Sequence, residues 1–152
     1  MLTGCTTNKK SQIYPTYDES NYNIVGYYQK VDSLLYQNDK IVNSNNVILN
    51  QYLQIKSDTI VFSYLENDEF KSETYNYHMA TKEEIVIDPI NNIQYPMSGN
   101  YHIMLTRSIL DEQLILVSKG PYSVKYHIYK RINEKDYQIK YNEIKGELND
   151  EE

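Results

Sequence analysis

Few residues in this chain are placed to do chemistry, and their spacing argues against most of it. His78, His102 and His127 are the only imidazoles. A metal site would need them to converge with a carboxylate at about 2 Å from one ion. They fall on three separate expected strands with no close-spaced pair, and His102 and His127 take polar faces, so solvent-exposed imidazoles are expected. The acidic pairs Asp68-Glu69, Glu83-Glu84 and Asp111-Glu112 fall where turns are expected. Adjacent strand residues point to opposite sides, so these pairs read as solvated turns rather than a general acid and base. With 5 glycines there is no phosphate-cradling loop, and neither a nucleophile elbow nor a zinc-protease helix occurs. No catalytic residue is assigned, and no metal or cofactor is expected.

The 17 tyrosines carry the better case for ligand contact. Tyr75 and Tyr77 share one face of an expected strand, and Tyr122 and Tyr126 share one face of another. Were those faces to line a cavity, they would give it apolar walls with hydroxyl handles. The plainer account is core filling, in which the hydroxyls must reach partners or the barrel rim. Tyr, Asn, Ile and Lys are all abundant together, as an AT-rich genome would make them, and Tyr suits strands.

A single cysteine, Cys5, excludes an intrachain disulfide and a multi-cysteine metal site. Leu2-Thr3-Gly4-Cys5 resembles the bacterial lipobox. The resemblance implies a diacylglyceryl lipid on the Cys5 thiol, cleavage just before it, and attachment to the extracytoplasmic face of a bacterial cell envelope. Such a site follows a basic start and an apolar stretch of about 7 to 15 residues. Only Met1 to Gly4 precede Cys5, so an in-frame leader encoded upstream of Met1 is part of the expectation. The polar run Thr6 to Gln12 reads as a flexible tether, and Pro15 discourages a helix before residue 21.

Charge fits that picture. Lys and Arg total 15 against 21 Asp and Glu, a net charge of -6. An acidic chain without a basic stripe gains nothing from counterion release, so nucleic acid is not expected as a partner. Anionic headgroups would repel it, leaving the lipid on Cys5 as the route to a membrane. No apolar run approaches the roughly 18 residues of a spanning helix.

The elements that must position these residues are mostly strands. At 152 residues the chain fits one core. Val47, Leu49, Leu53 and Ile55 share one face, and Thr59 to Leu65 is a strong β-former between polar turns at Lys56-Ser57-Asp58 and Glu66 to Glu69. Phe70 to Met79, Glu84 to Asp88, Tyr101 to Thr106 and Leu114 to Val117 continue the pattern. In the last strand Tyr122, Val124, Tyr126 and Ile128 are expected to face a core, with Ser123, Lys125, His127, Tyr129 and Arg131 in water. With the segment from Ile24 to Val31, about eight antiparallel strands result, in a small up-and-down barrel or curled meander. Asp32 to Gln37 is a weak helical turn. The charged tail from 133 to 152 puts Tyr137, Tyr141, Ile144 and Leu148 on one helical stripe, which Gly146 weakens by about 1 kcal/mol.

Two segments resemble the small lipocalin-like domains of envelope lipoproteins over residues 22–132. Val25-Gly26-Tyr27-Tyr28 stands where that family has Gly-x-Trp. Tyr101 to Ile103, Leu114 to Leu116 and Tyr126 to Arg131 resemble its closing strands. The resemblance implies a barrel with an interior cavity or a packed core. Two functions follow: an anchored module holding a small hydrophobic or amphipathic ligand, or a module that binds an envelope protein through its surface, such as an inhibitor, immunity or assembly factor. An enzyme is not expected.

Overall fold

The turns are drawn by the residues that tolerate a left-handed backbone. Asn38-Asp39, Asn67-Asp68 and Asn91-Asn92 all hold φ between 52° and 67° at both positions, the type I′ geometry that matches strand twist in two-residue hairpins. The first joins β1 (Gly26–Gln37) to β2 (Lys40–Ser44), and the second joins β4 (Thr59–Glu66) to β5 (Glu69–Thr81). The remaining elements are β3 (Gln51–Ile55), β6 (Glu84–Ile87), β7 (Gly99–Arg107), β8 (Glu112–Lys119), β9 (Ser123–Ile132) and α1 (Glu134–Lys145). The computed structural model describes residues 23–44, 50–107 and 111–146. Cys5 and its tether, Val47, Leu49 and Leu148 lie outside the described residues.

Every neighbouring pair is antiparallel, and β1 pairs with β9 to close the sheet. The result is an eight-stranded barrel of β1 and β3 to β9, with β2 as an extra strand. Closure pairs both edges of the barrel strands and leaves β2 as the strand with an unpaired edge among the described residues. β1 pairs with β9 from Tyr27↔Ile132 to Gln37↔Ser123. Its other edge is shared, β3 taking Gly26 to Gln29 and β2 taking Leu34 to Gln37. A bulge between Lys30 and Asp32 separates the two halves. The segment expected as a helical turn, Asp32 to Gln37, is therefore the upper half of β1. Cross-strand pairing to β9 and β2 outweighs the local pattern there.

The lower barrel is solidly filled. Leu53, Ile60, Tyr75, Ile85, Ile87, Ile103 and Leu114 project inward and are almost fully buried. At the base Tyr28 lies beneath the Arg131 guanidinium, 5.2 Å from the ring centroid. Its hydroxyl donates to the Ile24 carbonyl at 2.7 Å and accepts from Arg131 Nη2 at 2.7 Å. Arg131 Nε also meets Glu112 Oε1 at 3.3 Å. A Cβ at Gly26 would stand 3.3 Å from that guanidinium, so glycine leaves it room. Burial pushes the Tyr28 hydroxyl up to about 12, although Arg131 pulls the other way.

α1 is capped by Asn133, whose side chain accepts from the Asp136 amide. It lies on the outer wall against β1 and β4. Tyr137 meets Tyr27 at 4.9 Å between centroids, and Tyr141 meets Phe70 at 5.5 Å. Gly146, expected to weaken the helix from within, instead ends it at φ 89°, with its N–H on Asn142 and Glu143 carbonyls.

The face of β9 is reversed from the sequence expectation. Tyr129 is buried in the core, and Lys125, His127 and Arg131 share its side. Tyr126 is on the outer wall, edge-on to Tyr36 at 5.5 Å, and Tyr122 stands 83% exposed in the turn before the strand. Both faces of β9 carry apolar residues, so alternation alone cannot tell inside from outside. The register to Leu114 and Leu116 decides it.

Candidate functional site

The upper end of the barrel is where filling stops. The connection from Asp88 to Ser98 crosses it, and Met97 inserts into the core as a roof. Two tyrosine hydroxyls hold that roof. Tyr75 accepts from the Met97 amide at 3.3 Å, and Tyr101 donates to the Met97 carbonyl at 3.1 Å. Tyr75 also donates to Glu73 at 2.5 Å, and Tyr64 donates to the same carboxylate at 2.6 Å. Burial pushes the hydroxyls of Tyr64 and Tyr75 far up, with the hydrogen bond to Glu73 adding to it. A hydroxyl committed to a carboxylate and a roof amide is a structural group.

Beside Met97 lies a cavity of about 220 Å³ on the inner side of β1 and β9. Phe62, Met97, Leu116 and Tyr129 give it apolar walls, and Lys30, Lys125 and His127 give it nitrogen donors. Three strand positions create this cluster. Lys30 is paired with Tyr129, Ser33 with His127 and Leu35 with Lys125, so the inward side chains of the two strands meet. Lys30 Nζ lies 3.1 Å from His127 Nδ1 and 5.4 Å from the Tyr129 ring centroid. An ammonium can only donate, which makes Nδ1 the acceptor and leaves the imidazole proton on Nε2.

The electrostatics follow from burial and like charge. Burial, with Lys125 adding repulsion, lowers the Lys30 ammonium to about 8 against a weaker opposing pull from Asp32. Burial, then Lys30 and Lys125, lowers His127 to about 3. At neutral pH the cavity thus holds a neutral imidazole beside a largely protonated, half-buried Lys30, with exposed Lys125 at the rim.

The tyrosines singled out from sequence are dispersed. Tyr75 and Tyr77 are interior, Tyr77 donating to the Lys56 carbonyl at 2.6 Å. Tyr122 and Tyr126 are outside the barrel, the correction that follows from the reversed face of β9. His127, expected in solvent, is half-buried in the cavity. His78 is exposed on β5, and His102 borders a separate outer groove of about 290 Å³ with Val86 and Val117. A wider depression of about 410 Å³ lies at the lower rim around Ile24, Val25, Tyr77 and Met79. Asn23, Ser57, Thr81 and Lys82 also border it, and the Tyr77 hydroxyl there is already committed to the Lys56 carbonyl. Sequence reasoning missed Lys30, Lys125 and Met97. Their one signal was the spacing Lys125-His127-Tyr129 at period two, which places an aromatic on the supposed wet face.

No known protein family matches this chain, and no curated protein matches it. Among solved structures, a solution structure of lipocalin 12 from rat epididymis is similar at 11% identity and TM-score 0.47, over 91% of this chain and 84% of that one. A crystal structure of an uncharacterized protein from Bacteroides eggerthii is similar at 11% identity and TM-score 0.47, over 72% of this chain and all of that one.

Proposed function

We propose that this protein is a binding module of the bacterial cell envelope, held by a lipid on Cys5, whose barrel takes a small amphipathic ligand in its upper cavity. The observation that carries the reading is the cavity of about 220 Å³ in an otherwise filled barrel, with apolar walls and converging donors on one side. Native mass spectrometry of the full chain purified from its host tests it. A small-molecule adduct is expected, and the cavity-filling variant Leu116→Phe should lose it. A parent chain that carries no adduct and takes up no small molecule would refute the reading. The anchor has its own test: labelled palmitate should enter the parent chain and not Cys5→Ala.

A second reading has one specific observation behind it. Ile41 and Val42 are exposed on β2, which among the described residues pairs only with β1, and exposed Tyr122 lies in the turn preceding β9. An unpaired edge with apolar side chains suits strand addition by a protein partner. Crosslinking in intact cells that is abolished by Ile41→Lys with Val42→Glu would favour this reading over the cavity.

A further inference from the structure

The upper cavity is positive inside a negative molecule. Acidic residues outnumber basic ones by 21 to 15 in the chain, yet none lines this cavity. Lys71, Arg107 and Arg131 form ion pairs with glutamates elsewhere on the barrel, whereas Lys30 is held by the imidazole of His127. Asp32, the nearest acidic group on the strand of Lys30, lies beyond the bulge and accepts from the Ser33 amide. Two ammonium groups and an imidazole N–H therefore border one cavity whose lining holds no carboxylate, with Asp32 compensating Lys30 only in part. Such an arrangement is costly unless something negative completes it. The space also limits size. Tyr129 and Leu116 line the cavity, and fully buried Leu53, Ile103 and Leu114 fill the barrel below it.

Resting on the ligand-binding reading above, we propose that the cavity selects a compact organic carboxylate. Its head sits between Lys30 and Lys125 with the His127 Nε2–H as a further donor. A body about the size of one ring lies against Phe62, Met97 and Leu116. A carboxylate has acceptors enough for all three donors, and charge-assisted hydrogen bonds of this kind are stronger than neutral ones. The groups facing Lys30 are Lys125, His127, Tyr101 and Tyr129, with Asp32 on its own strand. Burial raises Tyr101 and Tyr129 and lowers both His127 and Lys30, the last to about 8, so Lys30 loses its charge as the pH rises from 7 to 9.5.

Calorimetric titration of the full chain with 3-phenylpropionate, its amide and its amine analogue tests this, with His127 imidazole shifts locating the site by nuclear magnetic resonance. The acid should bind at least tenfold more tightly than either analogue and move the His127 signals. Lys30→Met and Lys125→Met should each weaken the acid about tenfold, and raising the pH from 7 to 9.5 should weaken it similarly in the parent. Equal affinity for acid and amide, with His127 shifting for both, would overturn the carboxylate proposal and leave a neutral binding cavity standing. Failure of all three compounds to bind or shift His127 would overturn the cavity reading with it.

Discussion

Lys30→Met should make the protein more stable at neutral pH, a direction opposite to that of most core substitutions. Lys30 is held at about 8 where a solvated lysine stands at 10.5. At about 1.4 kcal/mol per tenfold change, keeping that charge in place at pH 7 costs the fold roughly 3 kcal/mol. Solvent reaching the half-open cavity reduces the figure, and the lost bond to His127 removes about 1 kcal/mol more. A net gain of about 1 to 2 kcal/mol remains, or a few degrees in Tm for a chain of this size. The sign depends on pH. The unfolded lysine keeps its proton up to 10.5 and the folded one releases it near 8, so the parent gains stability as pH rises between those values. The advantage of Lys30→Met should thus shrink to about zero by pH 9.5, where the discounted penalty is only ~1 kcal/mol. Urea denaturation followed by circular dichroism at pH 7 and pH 9.5 measures both terms. A variant less stable than the parent at pH 7, or an advantage unchanged at pH 9.5, would show that Lys30 carries no such penalty.

Further outcomes follow from other parts of the barrel. Tyr28 and Tyr137 are raised from 10 to about 12, so stability present below pH 10 should be lost as pH rises toward 12. Tm should fall across that window, as followed by circular dichroism; for Tyr28 alone the effect is about 2 to 3 kcal/mol. Tyr28→Phe leaves the Ile24 carbonyl without its hydroxyl donor and takes one acceptor from Arg131, which keeps Glu112 and the Asn23 carbonyl, and denaturant titration should show a loss of about 1 to 3 kcal/mol. Gly146→Ala meets no atom within 4 Å but keeps φ 89°, so it should cost about 1 kcal/mol through backbone strain, read as a lower urea midpoint. Asp68→Gly relieves a left-handed residue at φ 67° and should raise Tm by the equivalent of about 1 kcal/mol.

The sequence alone determined that this chain is a succession of antiparallel strands joined by short polar turns. Alternation in Thr59 to Leu65 and Phe70 to Met79, broken by Asn-Asp and Lys-Ser-Asp turns, is a local property. Type I′ turns and period-two burial need nothing beyond adjacent residues. The stripe of Tyr137 and Tyr141 was legible for the same reason. Which wall of β9 faces inward was not, because both its faces carry apolar side chains and only pairing to β1 and β8 fixes the choice. That single inversion moved His127 and Lys125 from solvent into the cavity and put Tyr122 and Tyr126 outside. Lys30 joined them only through the register of β1 against β9, a contact spanning 97 residues. The site is a product of barrel closure, which no local pattern encodes: it brings three unremarkable polar residues to one enclosed place where burial and like charge alter them.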